Sequence, residues 1–231
     1  MTGVSTASPP RSPRVRGRTL FLILVGVIVA IIVPTVVLPT LIFPPASPTL
    51  DDHGALPPFT LVDHTGAELS DGSLRGQVTI VNFIFTRCDT VCPVTTAKMR
   101  TVQERTANVP AIKLVSISVD PAHDTVPVLA EFATRHGADP ARWRFARGDM
   151  AALKTLVEHG MRVGFDDLGR KTASGAPDIT HSAHFVLLDQ NLHLRGYYDS
   201  DDWPKIERLM KHARYLVRRG PRPAASAAPP T

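Results

Sequence analysis

Residues 78–85 read VTIVNFIF, a run too apolar and too rich in β-branched and aromatic side chains for a strand with one wet face. It reads as a central strand buried on both faces. The chain's only two cysteines, Cys88 and Cys92, follow at once in TRCDTVCP. Helix-forming residues then run from 94 to about 106, and Pro93 suits a first helical turn, where its missing N–H is not needed. The cysteines therefore fall where a strand gives way to a helix. The partial positive charge of that helix terminus, with Arg87 alongside, favours thiolate over thiol, and Asp89 between the cysteines opposes it. If the first turn begins by Asp89, the four-residue spacing puts both sulfurs on one face. They are then close enough to form a disulfide or to chelate one soft metal ion. A disulfide that only braces the fold is the plainer reading, but such braces usually close longer loops.

Residues 1–18 are rich in Ser, Thr and Pro and carry Arg11, Arg14, Arg16 and Arg18 with no acidic residue, a disordered basic tail. Residues 20–43 then hold no charge over 24 positions, against about 20 needed to cross a bilayer. The expectation is one transmembrane helix over 19–43, kinked at Pro34 and Pro39. A cleaved signal peptide is the competing reading, but the apolar run exceeds the usual signal core and no small-x-small site follows it before FPPASP. Either way the arginines keep the N-terminus cytoplasmic and send the rest of the chain outward, to an oxidising compartment, periplasmic or on the outer face of the plasma membrane. The net charge of +5 loses its apparent meaning, because four of the 26 basic residues lie in that tail and the remainder nearly balances 21 acidic residues. No nucleic-acid motif is present, and no nucleic-acid partner is expected.

Residues 44–56 read as a Pro-rich tether, with the folded domain over 57–219 and a disordered tail over 220–231. A β-hairpin is expected first, with Phe59 and Leu61 facing inward and a turn at His64-Thr65-Gly66. A second sheet strand covers 112–119 and ends in DPAHDT, where Asp120 and Asp124 terminate the strand and Asp124 or Thr125 caps a helix over 126–136. A short strand at 143–145 and a helix over 150–160 follow. Residues 164–178 are polar and Gly-rich, an exposed loop in which Asp166 and Asp167 are solvated. A second hairpin has strands from His184 to about Leu188 and on through Tyr197. The chain closes with a helix over 202–219 whose outer face carries Lys205, Arg208, Lys211, Arg214, Arg218 and Arg219. His53 and His64 read as solvated loop residues, His184 and His193 as non-ligands, and Met99, Met150, Met161 and Met210 as core filler.

A buried strand, a two-cysteine turn and a helix resemble the thioredoxin-like fold, an α/β architecture with a central mixed sheet flanked by helices. The spacing here is C-x-x-x-C, not C-x-x-C. FIFTRCDTVCP resembles the active-site stretch of the SCO/SenC family, SVDPAHDT resembles that family's S-x-D-P-x-x-D-T stretch, and THSAHFVLLDQNLHLRGYY resembles its histidine segment. In such a sheet the late hairpin's first strand lies antiparallel beside the strand leading to the cysteines. The resemblance thus implies that His181 lies near both sulfurs and is the third copper ligand. Two thiolates and one imidazole suit Cu(I) and, with an added ligand, Cu(II); zinc would accept the same donors.

The resemblance implies a membrane-anchored copper chaperone, not an enzyme in the usual sense. It would deliver a copper ion to the Cu(A) site of cytochrome c oxidase during assembly through Cys88, Cys92 and His181. Its partners would be the oxidase subunit carrying Cu(A), with another copper chaperone or a thiol reductant supplying it. The alternative is an extracytoplasmic thiol-disulfide reductase in which Cys88 attacks and Cys92 resolves, keeping a partner's copper-site cysteines reduced. A peroxidase is disfavoured, since Val81 and Phe85 stand where its Pro and Thr or Ser would be.

Overall fold

The computed structural model describes residues 17–37, 48–88, 91–171, 177–181 and 184–221. The chain forms two units, Met1–Ser47 and Pro48–Thr231. In the first, helix α1 spans Gly17–Ile32 and continues as wider π-helical turns over Val33–Val37. Pro34 lacks the N–H that regular helix needs, which fits the change of pitch there. Sixteen α-helical residues reach about 24 Å, short of the ~30 Å hydrocarbon layer. Among the described residues no helix is long and apolar enough to cross a membrane. Residues 38–43 of the expected span, the basic tail at 1–16 and the C-terminal tail at 222–231 lie outside the described residues.

The second unit is built on a seven-stranded mixed sheet in the order β2-β1-β5-β4-β3-β8-β9. Strand β3, Val78–Ile84, is buried at every position. It pairs in parallel with β4, Ile112–Ser118, from Val78↔Ile112 to Ile84↔Ser118. Strand β5, Trp143–Arg147, continues the parallel run beside β4. Strand β8, His184–Leu188, lies antiparallel on the other side of β3, with Thr79↔Leu188 and Val81↔Val186. The hairpin of β1, Thr60–Asp63, and β2, Glu68–Ser70, forms one edge, and β9, Leu194–Asp199, the other. A four-residue helix, α2, Asp71–Leu74, leads from β2 toward β3. Helices α3, Val91–Arg105, and α4, Val126–Arg135, follow β3 and β4. Helix α5, Met150–Leu153, widens into π-helical turns over Lys154–Gly160, and α6, Trp203–Arg219, packs on β3, β4 and β9. Trp143, Phe83, Phe145 and Phe185 are the largest fully buried side chains. Buried β-branched residues in β3 and β4 explain why these segments pair as sheet, since their branched side chains fill a pleated surface.

Four local expectations change. Part of the loop expected over 164–178 is an antiparallel pair, β6, Phe165–Lys171, and β7, Pro177–His181, whose backbone bonds the composition did not reveal; residues 172–176 lie outside the described residues. His64 is buried, not solvated. Its Nδ1 accepts from the Phe145 amide at 3.2 Å while its own amide donates to the Phe145 carbonyl at 2.7 Å, and burial lowers its pKa. Met150 is 45% exposed and so is not core filler.

The fourth is the tether. From Pro48 the chain already belongs to the compact unit. The His53 amide donates to the Leu194 carbonyl, and the Leu56 amide to the Leu192 carbonyl, so this segment is fastened at the start of β9. Arg195, only 3% exposed, donates to the Leu50 carbonyl at 3.0 Å and pairs with Asp52 at 3.3 Å and Asp189 at 3.6 Å. Desolvation pushes the Asp52 pKa up, but the His193 bond, the Gly54 amide and Arg195 outweigh it and hold the carboxyl at about 2. Arg195→Ala is expected to cost about 2 kcal/mol and to speed amide exchange at His53 and Leu56. A global loss with protected amides there would show that backbone bonds alone hold the segment.

Candidate metal centre

Strand β3 ends at Ile84, and the Cys88 amide closes a turn on the Phe85 carbonyl at 3.2 Å. Two carboxylates from the loop after β4 grip this turn. Asp124, fully buried, accepts from the Thr86 amide at 3.1 Å, the Thr86 hydroxyl at 2.5 Å and the Ser118 hydroxyl at 2.5 Å. Burial lifts its pKa, and the Ser118 and Thr86 donors act against that rise. Asp120, 6% exposed, takes the Arg87 guanidinium at 2.6 Å. The parallel pairing explains the meeting: the Val119 amide donates to the Ile84 carbonyl at 2.9 Å, so the chain leaves both strands at one end of the sheet.

These contacts correct two readings. Asp120 and Asp124 fasten the cysteine-bearing turn instead of simply closing a strand and capping a helix. Helix α4 is capped at Thr125 with no side-chain cap bond. Arg87, expected to favour a thiolate, spends its charge on Asp120, because a carboxylate 2.6 Å away outcompetes a thiol for the guanidinium. The clue in the sequence was Thr86 and Arg87 before Cys88 together with two aspartates in DPAHDT.

Helix α3 begins at Val91, so Cys88 precedes it and Cys92 is its second residue. The sulfurs are not aligned by a shared helical face. The turn does it, and the Cys92 amide donates to Cys88 Sγ at 3.4 Å. That amide is one of the helix's first N–H groups, which point at Cys88 with the positive end of the helix dipole. Neither cysteine is in a disulfide. Cys88 is partly exposed, whereas Cys92 is 1% exposed. Hydrogen bonding between the two thiols and burial both push the Cys92 pKa up. Asp89, expected to oppose thiolate formation, lies outside the described residues. Cys88 is therefore expected to alkylate with iodoacetamide about tenfold faster or more than Cys92 near neutral pH, read by peptide mass mapping. Equal rates would show that the turn opens freely.

His181 ends β7, with its backbone paired to Phe165. Its side chain lies outside the described residues. The antiparallel pairing with β3 puts the start of β8, His184, toward the end of β3 that leads to Cys88. His181 is three residues before it, within about 11 Å of chain. That chain length allows β7's end to reach the cysteine turn. Among the described residues no three His, Cys, Asp or Glu side chains converge. His123 is exposed, and His193 is occupied with Asp52 at 2.9 Å.

The SCO1/SenC family model matches residues 48–217. The chain belongs to the SCO1/SenC family. Its matches span about two thirds of the length of the first curated relatives. The SCO1 protein homolog of Bacillus subtilis is 31% identical over 132 residues, covering 57% of this chain and 66% of that protein. ScoI of Bradyrhizobium japonicum, solved with copper bound, is 25% identical with a TM-score of 0.57, covering 71% of this chain and all of that one. BsSco, described as a member of the Sco family of cytochrome c oxidase assembly proteins with a disulfide switch, shares the fold at a TM-score of 0.63 and 23% identity, covering 74% of this chain and 98% of that one. The mixed sheet and flanking helices are the thioredoxin-like α/β fold of SCO1/SenC proteins.

A pair of thiols at a braced turn can act in two ways. It can give two soft donors to one metal ion, or lose two electrons and form a disulfide.

Proposed function

We propose that this SCO1/SenC protein is a membrane-anchored copper chaperone that delivers copper to the Cu(A) site of cytochrome c oxidase during assembly. The observation that carries the reading is the meeting of Cys88 and Cys92 at the start of α3, with the Cys92 amide on Cys88 Sγ. Copper is the cargo. Cys88 and Cys92 bind as thiolates, each releasing a proton to solvent, and His181 adds a neutral imidazole. The acceptor's own ligands replace these one at a time, so copper passes on without being freed. Copper bound in ScoI and the oxidase-assembly description of BsSco support this reading.

The anchor is the uncharged segment over residues 19–43, with the N-terminus cytoplasmic and the domain extracytoplasmic. The large apolar side chains from Leu20 to Val33 are exposed, from 39% to 63%, which in lipid is no liability. The four arginines before it favour this orientation.

The unequal exposure of the cysteines favours a second activity on the same pair. Cys88 thiolate attacks a partner disulfide, forming a mixed disulfide and releasing one partner thiolate. Cys92, deprotonated, then attacks Cys88 Sγ, so the partner leaves as a dithiol and this chain as a disulfide. A thiol reductant must restore it.

The test is copper retained after dialysis by reduced residues 48–231, followed by transfer to a purified Cu(A) domain. One copper per chain, passed to that domain, supports the chaperone. No retained copper, with disulfide reduction that survives His181→Ala, would sink it and leave the reductase.

A further inference from the structure

Helix α6 buries Ile206, Leu209, Met210, Ala213 and Leu216 along one stripe. Arg208, Lys211, Arg218 and Arg219 are exposed on the other side. Neighbouring charges are already engaged. Glu207, the helix's one acidic residue, pairs with Arg105 at 3.4 Å, Lys205 lies 3.5 Å from Asp199 and 3.4 Å from Asp202, and Arg214 donates to the Arg105 carbonyl at 2.6 Å. Among the described residues, none of the four exposed cations has an acidic partner within ion-pair distance. Four uncompensated cations on one face form a strip for an anionic surface.

The position of this strip narrows the choice of surface. The Gln190 side chain donates to the Leu216 carbonyl at 2.8 Å, and Asp189, Gln190, Arg195, Leu216, Arg219 and Gly220 line one small depression. Arg195 also holds Leu50 and Asp52. The basic end of α6 therefore lies beside the point where the chain comes into the folded unit. The uncharged segment ends at Phe43 and the compact unit starts at Pro48, leaving four residues between them, a reach of about 14 Å. If the uncharged segment is the anchor, those four residues set how far this end can stand from the headgroups.

We propose that the basic face of α6, centred on Arg208, Lys211, Arg218 and Arg219, docks on anionic phospholipid headgroups and fixes how the domain stands on its membrane. This rests on the anchor reading above. Docking would limit the domain's rotation on its short linker and leave the cysteine turn in a restricted set of orientations.

The test uses residues 48–231, a compact unit with its own hydrophobic core, checked as folded by circular dichroism. Co-sedimentation is measured with vesicles of phosphatidylcholine alone and with roughly one-third phosphatidylglycerol. Binding is expected only with phosphatidylglycerol and should fall as salt rises past about 0.15 M. The variant Arg208→Gln, Lys211→Gln, Arg218→Gln should bind about a hundredfold more weakly. Arg75→Gln with Arg135→Gln, two exposed arginines paired to acids elsewhere, should bind as the parent does. Binding without lipid preference, or an unchanged triple variant with the parent's circular dichroism, would overturn the proposal. So would retention on polyglutamate with no vesicle binding, which points to an acidic protein instead. Failure of the anchor reading has a separate signature, release of the full chain from membranes by alkaline wash.

Discussion

Cys92→Ser is expected to weaken Cu(I) binding by residues 48–231 more than about a hundredfold, and Cys88→Ser to do the same. Loss of a group that only supports a ligand typically costs tenfold to a hundredfold, so loss of a donor should exceed it. Serine is nearly the size of cysteine but presents a hard, protonated oxygen that Cu(I) binds poorly. His181→Ala should weaken Cu(II) binding more than Cu(I), since imidazole suits both states and thiolates dominate the softer one. Competition with a Cu(I) chelator under reducing conditions measures the first effect. Copper at about a hundred times its dissociation constant should also add about 2.7 kcal/mol of stability, and this gain should vanish in either serine variant. Parent-like affinity in Cys92→Ser would remove the two-thiolate centre.

Asp124→Ala should be strongly destabilising. It strips acceptors from the Thr86 amide, the Thr86 hydroxyl and the Ser118 hydroxyl at a fully buried position. Hydrogen bonds to a charged group contribute about 1.5–3 kcal/mol each, and donors left unsatisfied add a penalty, so a loss of about 4 kcal/mol is expected. That corresponds to a Tm lower by about 10 °C in a domain of this size. Asp124→Asn keeps one acceptor oxygen and should lose about half as much. Because Thr86 lies two residues before Cys88, the alkylation contrast between Cys88 and Cys92 should shrink in Asp124→Ala. A Tm within about a degree of the parent would show that the turn is held by other contacts.

Strand β3, the cysteine turn and the amphipathic stripe of α6 could be read directly, because hydrophobic period and helix-start chemistry are local properties. The antiparallel neighbour of β3 came from the resemblance, and the register Val81↔Val186 bears it out. The grip of Asp120 and Asp124 on Thr86 and Arg87 was not legible. An aspartate after a strand looks the same whether it caps the next helix or reaches a donor 38 positions away. Arg87 beside Cys88 suggested a thiolate-stabilising charge, and only the fold shows that Asp120 takes it.

The sequence by itself determined which segments are apolar enough to form the sheet, that the two cysteines stand between a strand and a helix, and the net charge of each segment. These follow from residue type and spacing along a few turns. Only the tertiary structure decided that residues from Pro48 onward bond to the chain at the start of β9, that His64 is buried and that the cysteine turn is clamped. Each depends on a partner far along the chain, such as Arg195 with Asp52 at a separation of 143 residues. A local pattern says how much a segment should bury, but the partner is chosen by the packing of the whole unit.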